Sequence, residues 1–321
     1  MKETVRLVAD VGGTNIRLGL AVGAHLDSRT LVSMRCDGLA GLGEAISSYL
    51  DTWPDRPRPE EVCVAIAGPI EEGRVRMTNR DWDISKDKLQ RELGVRRLAL
   101  INDFVAVSMA VPGLQPADWV AIGDADDPMA DAPIAVLGPG TGLGVGALVP
   151  HAGGWIPIAT EGGHAGLAPA DQQEIELLGI LMRQEQPVSL ERVLCGPGLS
   201  VLYAAVSELE DGPRDAADAA EIISTALAEP GSFCARVLGL FCAMLGTLAG
   251  NLALTFGARG GVYLAGGIFP RMIAFLAASR FRARFENQEL RYRDYVSRIP
   301  TRLIVAEHPG LTGALAYLLR H

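Results

Sequence analysis

The residues best suited to chemistry lie in two glycine-rich stretches that read as copies of each other. Residues 7–22 read LVADVGGTNIRLGLAV, and residues 134–149 read IAVLGPGTGLGVGALV. At one constant offset Thr14 aligns with Thr141, between apolar runs on both sides. Each copy predicts a β-hairpin with a tight turn, and backbone N–H groups crowded into such a turn favour anions. Two such turns in one chain predict a phosphate chain held from both sides.

Only the first copy carries an acid. Asp10 stands in the first stretch where the second has Leu137. A single carboxylate beside a phosphate chain is suited to holding Mg²⁺, either directly or through the water shell of the ion. Asp10 is therefore the candidate metal residue.

A second candidate is the pair Asn102–Asp103, which follows the apolar run 98–101 and opens a predicted helix that ends near Val111. A carboxylate at the carboxyl end of a buried strand lies where open α/β sheets bind ligands. The alternative is structural, because Asp103 is also a suitable residue to cap the helix.

Three further polar residues lie in two short segments, TEGGHAG at 160–166 and SLERVLCGPG at 189–198. Two glycines separate Glu161 from His164, so both side chains can turn toward one point, whereas the HExxH zinc spacing is absent. The alternatives are a polar loop for this pair and a solvated helix start for Glu191. Together with the Asn–Asp pair, these residues can donate to and accept from a polyhydroxylated ligand.

The elements that must position these residues alternate between strands and helices in both halves of the chain. Apolar runs at 62–67, 119–122, 261–265 and 301–306 predict strands, and several amphipathic stretches predict helices. This pattern predicts two α/β domains with a cleft between them. We expect a small domain of residues 1–112 with about 302–321, and a large domain of residues 113–301.

The composition of the chain limits the classes of molecule that it is expected to bind. The 321 residues are 49% hydrophobic and 21% charged, with a net charge of −9 and no basic run, so nucleic acid and anionic membranes are not expected partners. Residues 237–258 contain no charged side chain, and either a membrane span or a fully buried helix would explain them. The buried helix is the expectation, with its glycines marking close packing.

Five scattered cysteines and the lack of a secretory signal indicate reduced thiols and a cytoplasmic location.

Six motifs occur in an order that resembles the bacterial glucokinase family, in its group without a zinc site. They are DVGGTN, INDF, GPGTGLG, EGGH, ERVLCGPG and GGVYLAGGI, which together extend over nearly the whole chain. The resemblance implies an α/β protein with the two-domain actin-like (ribonuclease H-like) ATPase fold, and an active site in the interdomain cleft. It also implies the cofactors ATP and Mg²⁺, and a homodimer.

The resemblance implies two sets of ligands. The nucleotide ligands would be Asp10, Gly12, Gly13, Thr14, Gly140, Thr141, Gly142, Gly266 and Gly267. The sugar ligands would be Asn102, Asp103, Glu161, His164 and Glu191, with a further segment at Thr78, Asn79 and Trp82.

The implied reaction is transfer of the γ-phosphoryl group of ATP to the 6-hydroxyl of glucose, with Asp103 as the general base. The alternatives are a kinase for another hexose and a sugar sensor without catalysis on the same fold. ADP or polyphosphate could also occupy similar glycine turns as the phosphoryl donor.

Overall fold

The computed structural model describes residues 3–77 and 82–320. The strands are β1 (Val5–Val11), β2 (Asn15–Val22), β3 (His25–Leu26), β4 (Val32–Arg35), β5 (Glu61–Ile66), β6 (Arg74–Arg76), β7 (Asp83–Ser85), β8 (Arg97–Asn102), β9 (Trp119–Ala121), β10 (Ile134–Pro139), β11 (Leu143–His151), β12 (Gly154–Ala159), β13 (Val262–Leu264) and β14 (Thr301–Ile304). The helices are α1 (Leu42–Asp51), α2 (Lys86–Leu93), α3 (Asp103–Ala110), α4 (Gln172–Met182), α5 (Gly196–Leu209), α6 (Ala219–Ala228), α7 (Phe233–Phe256), α8 (Ile273–Ala278), α9 (Phe281–Glu286), α10 (Arg293–Ser297) and α11 (Pro309–Leu319).

The chain forms two compact units. The first contains Met1–Leu114, His151–Ala159 and Ala306–His321, and the second contains Gln115–Pro150 and Thr160–Val305. The expected domain limits differ from this division by two residues near Leu114 and by the placement of two strands. Strand β14 belongs to the second unit, because it pairs with β13 and β9 there. Strand β12 belongs to the first unit, where it packs against α3.

The first unit is built on a sheet in the order β3–β2–β1–β5–β8, with β4 also paired to β2. Strands β1 and β2 form the predicted antiparallel hairpin, whereas β1, β5 and β8 are parallel. Alternate residues of β1 enter different layers, as the two-residue period of a strand requires. Leu7 packs into the core that contains α1, and Val8 packs into the core that contains α3 and α11.

The second unit contains a sheet in the order β11–β10–β13–β14–β9. Strands β10 and β11 form the second predicted hairpin, in which Pro139 pairs with Leu143 across the turn. Strands β10, β13 and β14 are parallel, so their carboxyl ends lie at one edge. The two hairpins therefore confirm the internal repeat that the sequence indicates.

Helix α7 is the apolar segment for which the sequence left two interpretations open. By length and composition it could cross a membrane, but 72% of its most apolar window is buried inside the protein. A Cβ atom on Gly246 would lie 2.1 Å from the carbonyl oxygen of Phe281, and one on Gly250 would lie 2.5 Å from that of Phe285. Its glycines thus allow the backbones of α7 and α9 to touch, as expected for a buried helix.

Candidate active site

In the first unit, Asp10 lies at the end of β1, where the hairpin turns. The Gly12 N–H donates to the Asn15 carbonyl at 3.0 Å, which closes the turn. An Arg17 Nη1 lies 3.3 Å from Asp10 Oδ2, on the opposite strand. Burial raises the pKa of Asp10, and the charges of Arg17 and His308 oppose this rise without cancelling it. The carboxylate is thus held in a site that desolvates it.

The amino end of α11 faces the same carboxylate. A Cβ atom on Gly310 would lie 3.0 Å from Asp10 Cγ and Oδ2, so only glycine leaves the carboxylate its present space. One turn further along, a Cβ atom on Gly313 would lie 1.6 Å from the Ala106 carbonyl oxygen of α3. Helix α11 therefore contacts both Asp10 and the helix that begins with Asp103.

The two polar residues at the end of β8, Asn102 and Asp103, have different structural roles. Asn102 is the N-cap of α3, and its Oδ1 accepts from Phe104 N at 2.8 Å and from Val105 N at 3.3 Å. The interpretation of Asp103 as the cap is therefore wrong, because Asp103 is the first residue of the helix. Its Oδ1 accepts from Phe104 N at 2.9 Å. Since β1, β5 and β8 are parallel and in register, Asp10 and Asp103 lie at one edge of this sheet.

In the second unit, the turn between β10 and β11 is tightened by backbone contacts. The Gly140 N–H donates to the Gly142 carbonyl at 2.7 Å, and the Gly140 carbonyl accepts from Gly196 N at 2.8 Å. Gly266 follows β13 with φ +125°, and a Cβ atom there would lie 2.2 Å from the Pro139 carbonyl oxygen. Gly267, by contrast, has no neighbour that a Cβ atom would meet within 4 Å. The Gly-Gly turn thus lies beside the start of the glycine turn.

The segment that carries Glu161 and His164 is anchored to β11 of the same unit. Thr160 Oγ1 donates to the Val145 carbonyl at 2.9 Å and accepts from Gly162 N at 3.1 Å. A Cβ atom on Gly163 would lie 2.0 Å from the Leu143 carbonyl oxygen, so the two segments touch backbone to backbone. The side chains of Glu161 and His164 remain exposed on either side of this anchor.

Glu191 stands between these two segments. Its Oε2 accepts from Leu143 N at 2.7 Å, and its Oε1 lies 4.0 Å from His164 Nδ1. The second unit therefore brings together the glycine turn and three of the predicted sugar ligands. The sequence predicted their residue types but not the contact between Glu191 and the turn, since no local motif signals it.

The expected further sugar segment is described only at Trp82. Trp82 is 8% exposed and packs in the core of the first unit, whereas Thr78 and Asn79 lie outside the described residues. His308 and Gly310 could not be predicted, because nothing in their sequence neighbourhoods links them to Asp10. Arg17 pairs with Asp10 across the predicted hairpin, so the register of its two strands is the signal that could have indicated this residue. Within residues 3–77 and 82–320, no three side chains of His, Cys, Asp or Glu form a metal-binding group.

Similarity to known proteins extends over nearly the whole chain. A family model described as Glucokinase matches residues 7–321. The chain is 43% identical over 313 residues to a glucokinase of Aromatoleum aromaticum, covering 98% of this chain and 94% of that one. It is also 43% identical over 318 residues to a glucokinase of Chromobacterium violaceum, covering 98% and 90%.

Solved structures show the fold. A glucokinase from an Antarctic psychrotroph superposes with a TM-score of 0.86 at 36% identity, covering 99% of both chains. A ROK hexokinase from Thermus thermophilus shares the fold alone, with a TM-score of 0.69 at 21% identity and 99% of both chains covered. The class is thus that of sugar kinases with the two-domain actin-like ATPase fold, which the resemblance implied. Within this class, the chain belongs to the glucokinase family.

Proposed function

We propose that this protein phosphorylates D-glucose at its 6-hydroxyl with the γ-phosphoryl group of ATP, giving glucose 6-phosphate and ADP. The observation that supports the proposal most strongly is the hydrogen bond from Leu143 N to the Glu191 carboxylate, because it joins one expected sugar ligand to an expected phosphate-binding turn. The 43% identity to proteins named glucokinase supports glucose as the acceptor.

In this mechanism Asp103 accepts the proton of the attacking hydroxyl. Because Asn102 is the N-cap of α3, the Asp103 carboxylate is not needed to cap the helix. Asp103 lies at the sheet edge that also carries Asp10. General-base catalysis of this kind contributes typically 10²- to 10⁴-fold to the rate. Since the transition state of phosphoryl transfer is loose, the remaining catalysis depends mainly on positioning and on neutralising charge.

Two sets of backbone N–H groups bind the phosphates. The first is the turn Gly12, Gly13 and Thr14, and the second is the turn Gly140, Thr141 and Gly142. Their amides are held in place by the hairpins before the ligand arrives, so little reorganisation is needed when charge moves. Gly266 and Gly267 border the adenosine in this proposal.

The residues present fit a Mg²⁺ ion that arrives with the nucleotide. Asp10 is a single carboxylate with an arginine 3.3 Å away, so phosphate oxygens and water must supply most of the ligands of the ion. Mg²⁺ characteristically keeps several waters and binds through one or two carboxylates plus substrate phosphates. When bound, the ion would neutralise phosphate charge, and Asp10 would hold it directly or through water.

Calorimetry with the isolated protein tests the acceptor. We expect glucose to bind more tightly than fructose, mannose or N-acetylglucosamine, because a site built to bond hydroxyls discriminates against a missing or displaced one. Tighter binding of another hexose would transfer the proposal to that sugar. A protein that binds glucose but never turns over ATP would be a sugar sensor.

Replacing Glu161 by Ala should weaken glucose binding. The loss of one charge-assisted hydrogen bond predicts an increase in the glucose Kd of roughly 10- to 100-fold. Calorimetric titration measures this directly, and Glu176→Ala on the exposed face of α4 is the matched control. An unchanged Kd for glucose would remove Glu161 from the sugar site.

Replacing Asp10 by Asn should lower activity and raise stability together. We expect kcat to fall by about tenfold or more through loss of one charged contact. The Tm of the ligand-free protein should rise at pH 7, because burial raises the pKa of Asp10 and the ionised form therefore destabilises the fold. The gain in stability is fully present above the pKa of Asp10 in the folded protein, and it vanishes below the ordinary pKa of 3.8 for an aspartate. Thermal melts between pH 4 and 8 would contradict the argument if Asp10→Asn were less stable at pH 7.

We also retain two proposals that rest on the sequence and its resemblance: a homodimer and a cytoplasmic location. Light scattering of the purified protein at several concentrations tests the first, and fractionation of the host cell tests the second. A monomer at all concentrations would overturn the homodimer.

A further inference from the structure

Residues 191–196, which we call the strap, fasten two binding segments of the second unit to each other. At its first residue, Glu191 N donates to the Gly163 carbonyl at 2.8 Å, within the segment that carries Glu161 and His164. At its last residue, Gly196 N donates to the Gly140 carbonyl at 2.8 Å, within the phosphate turn. The strap is thus bonded to the sugar segment at one end and to the phosphate turn at the other.

The Glu191 carboxylate adds a side-chain bond to the same turn. Its Oε2 accepts from Leu143 N at 2.7 Å, while Oε1 lies 4.0 Å from His164 Nδ1. The two oxygens of one rigid group thus face the two binding segments. A ligand hydroxyl that bonds to Oε1 necessarily fixes the orientation of Oε2 as well.

Gly142 shows how closely the turn is fitted to this carboxylate. A Cβ atom at Gly142 would lie 2.5 Å from Glu191 Oε2 and 3.2 Å from its Cδ. The third of the three nearest atoms is Glu191 Oε1 at 3.7 Å, so the closest contacts of such a Cβ atom are with this carboxylate rather than with backbone. Gly142 also lacks a positive φ, so alanine fits its backbone conformation. Among the described residues, the three atoms nearest to this Cβ position therefore all belong to the end of the Glu191 side chain.

We propose that Glu191 is a positioning residue for the phosphate turn as well as a sugar ligand, and that it makes sugar and nucleotide binding cooperative. This inference rests on the proposed function, because it assumes that the two segments bind sugar and phosphate. The bond from Leu143 N holds the amide that follows Gly142 in one orientation. Sugar binding then restricts Glu191, and by thermodynamic reciprocity the nucleotide tightens sugar binding by the same factor.

The first test measures nucleotide affinity without turnover. The Kd of a non-hydrolysable ATP analogue with Mg²⁺ is measured by calorimetry, with and without saturating glucose. In sugar-free protein, Glu191→Ala should raise this Kd roughly tenfold, as expected for loss of a hydrogen bond to a charged acceptor. Glu191→Gln should stay within about threefold of the parent, because its amide oxygen can still accept from Leu143 N.

The matched controls are Glu161→Gln and His164→Gln. Both should weaken glucose binding while leaving the sugar-free nucleotide Kd unchanged, since the side-chain bond to the turn that the proposal invokes is made by Glu191, which accepts from Leu143 N. In the parent, glucose should tighten nucleotide binding about fivefold or more, within the usual range of coupling between sites. Glu191→Ala should abolish this coupling. A Glu191→Ala nucleotide Kd equal to that of the parent would overturn the proposal.

The second test is a double-mutant cycle between Gly142 and Glu191. Gly142→Ala alone should weaken nucleotide binding by displacing the carboxylate, whereas the same change in the Glu191→Ala background should add less than about twofold. Such non-additivity is the mark of two residues that act through one contact. Additive effects would contradict the proposal. If Glu191→Ala does not fold, Gly142→Ala and Glu191→Gln still provide the comparison.

Failure of the proposed function gives a different result. If no hexose binds to the parent protein, the assignment of a sugar site is overturned together with the cooperativity. The sugar-free nucleotide Kd of Glu191→Ala still decides whether Glu191 holds the phosphate turn.

Discussion

Asp103→Asn should lower kcat by on the order of 10²-fold or more, while the protein stays folded and still binds glucose. The asparagine keeps the shape of the side chain and its hydrogen bond to Phe104 N, but it cannot accept the proton of the attacking hydroxyl. Because Asn102 rather than Asp103 caps α3, the substitution leaves the cap intact. Steady-state kinetics with glucose and ATP measure the fall in kcat, and a thermal melt shows that the protein stays folded.

The matched control for this substitution is Asp87→Asn. Asp87 also lies in the first turn of a helix in the same unit, α2, but its side chain is exposed and none of the expected ligands lies in that helix. We expect its kcat to equal that of the parent. If Asp103→Asn retained a kcat near that of the parent, the general base would have to be another group.

Gly313→Ala should give the largest loss of stability among single methyl additions considered for this chain. Its Cβ atom would lie 1.6 Å from the Ala106 carbonyl oxygen and 3.0 Å from Ala110 N, and backbone atoms cannot move aside as a side chain can. Overpacking of a core costs typically 1–3 kcal/mol, so a clash with backbone should cost about 3 kcal/mol or more. For a protein of this size, we expect Tm to fall by roughly 6 °C or more.

The displacement of α11 in Gly313→Ala should also disturb the candidate active site. Helix α11 contacts Asp10 through Gly310 and α3 through Gly313, so pushing α11 away disturbs both carboxylates. We therefore expect kcat to fall in Gly313→Ala even below its melting temperature. Gly179→Ala, in the open interior of α4, is the matched control and should stabilise the protein by about 0.5–1 kcal/mol. A parent-like Tm for Gly313→Ala would contradict the close packing of α11 on α3.

The parts of the fold that could be predicted are those encoded locally. Both hairpins follow from the repeated alternation of apolar runs and glycine turns, and α7 follows from a long uncharged segment. The helices α8, α9 and α10 could not be predicted, because each has only five or six residues and offers too few turns for a hydrophobic period. Strand β12 could not be predicted either, since its half-exposed residues show no clear alternation of buried and exposed positions.

The candidate site shows the same limit at the level of single residues. Residue types and spacing could indicate Asp10, Asp103 and Glu191 as chemical groups. They could not indicate that Asn102 is the cap of α3, that α11 returns to Asp10, or that Glu191 bonds to Leu143 N. The contacts of α11 and of Glu191 arise from tertiary packing between segments that are far apart in sequence. The cap of α3 depends on which of two adjacent polar residues takes that role. Sequence patterns resolve neither question.

The most direct test of the central claim is product analysis by ³¹P NMR. The purified protein is incubated with ATP, Mg²⁺ and an equimolar mixture of glucose, fructose, mannose and N-acetylglucosamine. We predict equal amounts of ADP and glucose 6-phosphate, with glucose consumed before the other sugars. Release of ADP without sugar phosphate, or phosphorylation of another hexose in preference to glucose, would contradict the proposed function.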